Sequence, residues 1–380
     1  MKNSCHKVEK ASKKVVVLKI EEYNFNILKK NIKESLLKHF SFDKLFSPQD
    51  RILLKPNLLM EANPDEAITT HPIFIEAVGA IFQEMDYPVF IADSPGGFVD
   101  NKDMDFIYGA TGIKEIANRY NFELLHPTQS RVCQDLPLCW WTEGFKMINL
   151  PKLKTHDIMI LTLATKNLYG CISGLHKSHI HKVYPKAADF TSIILKLYKM
   201  IKPSLNIVDG ILALEGNGPA KKGKPKKLGI VVIGDDALYT DYVIGRLLGL
   251  DDKFNPLINK AKEQGLFNEN MLELVCDIPY ENFNNFKFPS PFILNSIPSP
   301  LVSLLKLFLK FKPFVDIRKC TGCSQCKEVC PQNAIEIEKA KAHIDYKKCI
   351  MCMCCGEMCS FGAIDLNKSL LLKFIEFIHR

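Results

Sequence analysis

Nine of the fourteen cysteines of this 380-residue chain fall between Cys320 and Cys359, and eight of them spell one spacing twice. Cys320, Cys323, Cys326 and Cys330, followed by Pro331, and Cys349, Cys352, Cys355 and Cys359, followed by Ser360, both read C-x2-C-x2-C-x3-C. Three thiolates at that spacing sit on one tight loop that wraps a four-iron cube corner by corner, and the fourth points away. The flanking residues repeat at the same offset of 29: Asp316-Ile317-Arg318-Lys319 matches Asp345-Tyr346-Lys347-Lys348, and Asn333-Ala334-Ile335 matches Gly362-Ala363-Ile364. Each half therefore reads as strand, cluster loop, short helix, strand. Paired four-cysteine zinc sites also use C-x2-C pairs, but they do not need the third and fourth cysteines at x2 and x3 in both copies.

Residues 313 to 367 resemble the two-cluster bacterial ferredoxins. In that family the fourth cysteine of each run ligates the other cluster. The resemblance thus implies two [4Fe-4S] clusters, one held by Cys320, Cys323, Cys326 and Cys359, the other by Cys349, Cys352, Cys355 and Cys330. Two departures stand out: Ser360 replaces the usual proline, and Cys354 is an extra thiol beside Cys355. Register favours Cys355 as the ligand, with Cys354 as the alternative.

The other five cysteines, Cys5, Cys133, Cys139, Cys171 and Cys276, are scattered and read as small buried apolar groups. Cysteine used for metal rather than for disulfides points to a reducing compartment. The N-terminus is charged and carries no apolar stretch long enough for a signal or a span, so a cytoplasmic protein is expected. The formal charge of +8, from 50 basic and 42 acidic residues, is dilute over this length and weighs against nucleic acid as a partner.

Ahead of the cysteines, short apolar β-branched runs at 15 to 20, 51 to 55, 88 to 92, 146 to 150, 205 to 209 and 228 to 233 read as buried strands. Helical patterns lie between them, at Asn26 to His39, Ile73 to Met85, Ala188 to Ile201 and Ala237 to Leu250. The alternation predicts an α/β domain with a mainly parallel sheet and helices on both faces, followed by a small α+β ferredoxin-type domain.

Polar residues gather where these strands end: Lys55-Pro56-Asn57, Asp93-Ser94-Pro95-Gly96-Gly97, Lys152-Leu153-Lys154-Thr155-His156, Asp209-Gly210 and Gly234-Asp235-Asp236. Open α/β sheets bind ligands at that edge. Lysines and histidines crowd the same loops, and such groups hold anions or move protons. Lys154, His156, Lys166, Asp93 and Asp209 are the candidate catalytic residues; Lys55, Asn57, Asn167 and Lys177 are the candidate substrate contacts. For any one of them the plainer reading is an exposed basic loop. His176, His179 and His181 form a further candidate metal cluster with no geometry fixed.

The strings Leu54-Lys55-Pro56-Asn57-Leu58-Leu59, Thr70-His71-Pro72, Asp93-Ser94-Pro95-Gly96, Lys152-Leu153-Lys154-Thr155-His156, Lys166-Asn167-Leu168-Tyr169-Gly170, and Asp209-Gly210 with Glu215-Gly216-Asn217-Gly218-Pro219 resemble the domain of unknown function 362 family over residues 13 to 290. Similar proteins often carry a C-terminal ferredoxin module. The resemblance implies a recurring set of Lys, Asn, His and Asp positions, and no reaction.

Glu215 to Lys227 is rich in glycine, proline and lysine and reads as a mobile loop. No P-loop or dinucleotide fingerprint supports ATP or NAD. Pro298 to Pro313 reads as a basic amphipathic linker helix and Leu370 to Ile378 as a short terminal one, both too short to span a bilayer but able to touch its surface. The expected organisation is a tail (1–12), the α/β domain (13–297), the linker (298–313), the ferredoxin domain (314–367) and a terminal helix (368–380). The expected function is iron-sulfur electron transfer, as a reductase or reductase subunit relaying electrons from the two clusters to an anionic substrate or partner bound at the strand ends of the α/β domain, with a soluble electron donor or acceptor protein as its partner. The rival readings are a redox-sensing module and a plain carrier whose large domain is a docking surface.

Overall fold

The computed structural model describes residues 12–97, 100–157, 159–174, 176–184, 187–278, 283, 285–289 and 311–368. Its large domain is built on a ten-stranded sheet. The strands are β1 (Lys13–Lys19), β2 (Ile52–Pro56), β3 (Val89–Ile91), β4 (Glu123–Leu124), β7 (Lys146–Leu150), β8 (Lys152–His156), β9 (Ile160–Thr162), β10 (Leu205–Gly216), β11 (Gly223–Gly234) and β12 (Leu272–Cys276). A separate hairpin, β5 (Ser130–Cys133) with β6 (Leu136–Cys139), lies between β4 and β7. The order across the sheet is β12-β1-β11-β10-β7-β2-β3-β4, with β8 alongside β10 and β9 beside β8. All pairings are parallel except those of β11 with β1 and β10, and of β9 with β8.

Successive residues of one strand feed opposite faces, which is why the runs are apolar throughout. Val15 and Val17 pack on one face with Leu53 and Val232, against helices Ala187–Met200, Ala237–Leu247 and Pro256–Glu263. Val16 packs on the other with Ile52, Leu54 and Val231, against helices Phe25–His39 and Pro72–Gln83. Pro72 sits in the first turn of its helix, where no N–H is needed, and the His71 side chain caps that turn by accepting from the Ile73 N–H.

Three sequence expectations are corrected. Lys152 to His156 is not a loop but the buried strand β8, since its backbone pairs with both β10 and β9. Glu215 to Lys227 is not a mobile loop. It forms the outer arms of the β10/β11 hairpin, paired from Leu212 with Lys227 to Gly216 with Gly223, so the ladder supplies the order that the side chains lack. Gly234-Asp235-Asp236 leaves the sheet at the opposite edge from the other strand-end residues, because β11 runs antiparallel to β10.

The C-terminal module has β13 (Phe311–Val315) paired with β16 (Ile364–Lys368) and β14 (Ile335–Glu338) paired with β15 (Lys341–Ile344), all antiparallel. Helices Gln325–Glu328 and Cys354–Glu357 occupy matching places in the two halves, each entered through a left-handed residue, Ser324 and Met353. The linker helix expected over Pro298 to Pro313 falls outside the described residues except for Phe311 to Pro313, which are strand because they pair with Leu366 to Lys368. The expected terminal helix also lies outside the described residues.

Helix Pro72–Gln83 lies so close to its neighbours that a β-carbon at Gly79 would stand 2.5 Å from the Phe122 ring and 3.3 Å from Leu54. Alanine would gain about 1 kcal/mol in helix propensity, but overpacking costs about 1–3 kcal/mol. Gly79→Ala should therefore lower the thermal midpoint; an unchanged or raised midpoint would show that the ring yields freely.

Candidate functional site

The strand ends hold cations that water would ordinarily claim. Lys55, at the end of β2, is fully buried and its Nζ lies 2.7 Å from Asp93 Oδ1, while Asp93 Oδ2 accepts from the Leu58 N–H. Lys152 pairs with Asp209 at 2.9 Å, both 0% exposed. Asp209 also accepts from the Tyr23 hydroxyl and the His71 N–H, and the Tyr23 and His71 rings stack with centroids 3.7 Å apart. Breaking either pair from one side would leave a buried charge uncompensated, at a cost of about 3–5 kcal/mol. Gly170 has to be glycine for the same reason: a β-carbon there would collide with Asp93 Oδ1 and Lys55 Nζ.

Among the described residues Lys154 has no carboxylate partner within ion-pair distance. Its Nζ donates to the Ile68 carbonyl, and burial pushes its pKa down to about 7. Burial likewise pushes Lys177 down to about 8, although its ammonium is held by Ser94 Oγ and the carbonyls of Pro95 and Ile172. An amide chain runs across these ends. Asn57 donates to Asn167, Asn167 to Asn149, and Asn149 to Asn206, with Nδ2–Oδ1 distances of 2.9, 2.8 and 2.9 Å. Carbonyls of Ala164 and Gly234, both pure acceptors, fix its polarity.

The ferredoxin module closes over this edge. His156 Nε2 lies 3.2 Å from Glu357 Oε1, and Lys222 at the hairpin tip lies 3.1 Å from Asp365. The Met159 N–H donates to His156 Nδ1, so the imidazole proton sits on Nε2 and points at Glu357. Burial holds His156 down to about 4. Burial works against the Glu357 charge, but the His156 and Lys166 beside it prevail and hold its carboxyl at about 2. The contact is therefore a neutral imidazole donating to a carboxylate. Met358 packs so near Gly96 that a β-carbon there would come within 2.9 Å of its sulfur.

A cavity lies between the two domains. Asn57, Asp93, Thr162, Lys166, Asn167 and Lys177 line it from the α/β side, and Val329, Cys354, Glu357 and Met358 from the module. Tyr169, Ser178 and His181 also line it. Burial lowers the Lys166 pKa, and among the described residues its ammonium makes no hydrogen bond; it stands 5.6 Å from the centroid of the Tyr169 ring.

Eight of the module's nine cysteines divide as crossed ligation requires. One cavity is lined by Cys320, Cys323, Cys326 and Cys359, the other by Cys330, Cys349, Cys352 and Cys355. Backbone N–H groups aim at the sulfurs in matched fashion, from Ala334 to Cys330 and from Ala363 to Cys359, each at 3.2 Å. Such donors stabilise thiolates that bind iron. The residues fit a cubane at each place, and among the described residues no three His, Cys, Asp or Glu converge closely enough to share a single ion.

The model of the domain of unknown function DUF362 matches residues 52–246, and that of a 4Fe-4S dicluster domain matches residues 319–363. The chain belongs to the DUF362 family. It is also similar to the thylakoid-associated protein sll1697 of Synechocystis sp., with 30% identity over 73% of this chain and 88% of that protein. No solved structure matches. The dicluster match supports an iron-sulfur electron-transfer role. Among the described residues no helix is long and apolar enough to cross a membrane.

Within the DUF362 domain, the structure brings Asn57, Asp93, Lys166, Asn167 and Lys177 to the cavity. It sets Lys55, Lys152, Lys154 and Asp209 behind it, as buried supports rather than an exposed basic loop. His156 meets the module instead. Asp209 has both oxygens committed, which removes it as a free acid or base. His176 and His179 are exposed, whereas His181 is buried and stacks on Phe190 at 4.4 Å; the helix His176–Val183 turns them to different faces, so they form no metal cluster. Glu357, Met358 and Val329 were not selected by spacing, because nothing in the cysteine pattern says which side of the module meets a partner.

Two outcomes follow. Cys330→Ala and Cys355→Ala should damage the same cluster, leaving the signal of the other in the reduced protein's electron paramagnetic spectrum; loss of different clusters would refute crossed ligation. His71, His156 and His181 are each pushed by burial to about 4, below the ordinary imidazole value of about 6.5. The unfolded chain takes up these protons first as pH falls from about 6.5 towards 4, so their contribution, complete above about 6.5, is lost over that range. The melting temperature should fall between pH 7 and pH 5.5, less steeply for His181→Phe, and equal slopes would contradict the assignment.

Proposed function

We propose that this DUF362 protein is a reductase or reductase subunit in which two [4Fe-4S] clusters serve an anionic substrate held between the domains. The observation that carries this reading is the seating of the ferredoxin module on the strand-end cavity, so that Cys354, Glu357 and Met358 face Lys166 across the same space. Bound at the two cysteine cavities, the clusters supply one-electron transfer at low potential.

The chain's own residues bind and orient. Lys166 is the anion anchor, since its ammonium is not committed to a protein acceptor. Lys177 acts through its field alone, its protons being spent on Ser94, Pro95 and Ile172. Asn57 and Asn167 are locked by the amide chain and present a fixed polar wall. Closure of the module over this wall keeps water from the reacting groups and strengthens each electrostatic contact. A soluble one-electron carrier protein is the donor in this reading.

The test uses the anaerobically purified full chain, reduced with dithionite and mixed with small carboxylate, phosphate and sulfur-oxyanion acceptors, with uncharged acceptors alongside. An anionic acceptor should speed reoxidation, and Lys166→Ala should slow that step by about 10- to 100-fold, the loss of one charge-assisted contact of about 1.5–3 kcal/mol. If no anion speeds reoxidation and Lys166→Ala matches wild type, the reading fails.

A further inference from the structure

The asparagine chain across the strand ends has a direction, and that direction sets what it offers the cavity. At one end Asn206 Nδ2 donates to the Gly234 carbonyl, and Asn149 Nδ2 donates to the Ala164 carbonyl as well as to Asn206 Oδ1. Asn167 Nδ2 faces the carbonyls of Lys55 and Pro56, each at 3.3 Å, besides Asn149 Oδ1. Carbonyls only accept, so each of these amides turns its NH2 to them and its oxygen to the next link. The last oxygen in line, Asn167 Oδ1, accepts from Asn57 Nδ2 at 2.9 Å. Asn57 lines the interdomain cavity, and what remains for it to present there is Oδ1, an atom that can only accept.

That oxygen is buried, and among the described residues nothing donates to it. Thr162 Oγ1, from the wall of the same cavity, is likewise buried without a hydrogen-bond partner. Buried polar groups are almost always hydrogen-bonded, so exceptions that share one cavity point to a ligand. Asn57 is also held in place. Its N–H donates to Thr70 Oγ1 at 2.9 Å, its carbonyl accepts from the Thr70 N–H at 3.1 Å, and Thr70 Oγ1 is itself committed to the Leu150 carbonyl.

We propose that the interdomain cavity selects a small anion that carries its own O–H or N–H, with Lys166 taking the negative charge and Asn57 Oδ1 accepting the ligand's hydrogen bond. Hydroxycarboxylates and hydrogen phosphate share this chemistry, whereas acetate and sulfate bring the charge without the donor. An anion of the second kind would leave Asn57 Oδ1 buried and unpaired and would set its own negative oxygens against it. A site built to bond a ligand's hydroxyl or amine rejects the analogue that lacks it, because the buried partner is then stranded. The inference rests on reading the cavity as an anion site, and it makes Asn57 the specificity-determining residue of that site.

The experiment is isothermal titration calorimetry of the anaerobically purified full chain near neutral pH, with glycolate against acetate and phosphate against sulfate as matched pairs. In at least one pair the donor-bearing ligand should bind about 10-fold more tightly or better, the penalty for an unpaired buried acceptor. Asn57→Ala should bring that ratio close to one, whereas Lys166→Ala should weaken both members together and keep the ratio. Equal affinities within both pairs, or a ratio that survives in Asn57→Ala, would overturn the inference and leave the anion site standing. If none of the four ligands binds, or Lys166→Ala binds them as wild type does, the reading of the cavity falls and the inference with it. Should Asn57→Ala fail to fold, Asn57→Leu, which keeps the volume of the side chain, decides by the same outcomes.

Discussion

The contact between His156 and Glu357 joins the two domains beside the cavity that both of them line. A half-buried carboxylate with no partner would be costly. Glu357 accepts from an imidazole whose tautomer is set from behind by the Met159 N–H, so the partner cannot rotate away without leaving two groups unsatisfied. The hairpin tip adds a second hold through Lys222 and Asp365, and the Met358 side chain fills the space that glycine leaves at Gly96. Together these turn a redox module joined in sequence into one wall of a site.

The buried lysines behind that wall follow a common logic. Lys55 and Lys152 are each matched by one carboxylate from a neighbouring strand end, Asp93 and Asp209, and each aspartate takes further backbone or hydroxyl donors. Full pairing lets two ammonium groups sit in the core without a net charge. What is left at the surface of the cavity is Lys166, the cation without a committed acceptor, opposite an acidic residue of the module. Rigidity comes from the paired charges, and in the proposed reading Lys166 is the group that receives an anion.

Much of this was legible in the sequence. The cysteine spacing marked the module and its two halves, and the resemblance to two-cluster ferredoxins implied the same grouping of cysteines that the two cavities show. Apolar runs marked β2, β7 and the cores of β10 and β11, since strands covered on both faces need no alternation. The outer arms of β10 and β11 were hidden, because Glu215 to Lys227 is ordered by backbone pairing that its lysines and glycines do not advertise. The depth of Lys154 and Asp209 was hidden, because sequence shows polarity but not burial, and both lie at 0–1% exposure. The direction of β11, which sends Asp235 and Asp236 to the far edge, depends on a hairpin turn that composition alone did not place.

The seating of the module over the strand ends can be read directly by nuclear magnetic resonance of methyl-labelled methionine, comparing oxidised and dithionite-reduced protein. Met159 follows β8 and donates to His156, whereas Met271 lines the cavity at the opposite edge of the sheet, with Lys13 and Asp235. Reduction should broaden and shift the Met159 methyl through its nearness to the paramagnetic clusters and leave that of Met271 sharp. Equal response of the two, or none at Met159, would contradict the account.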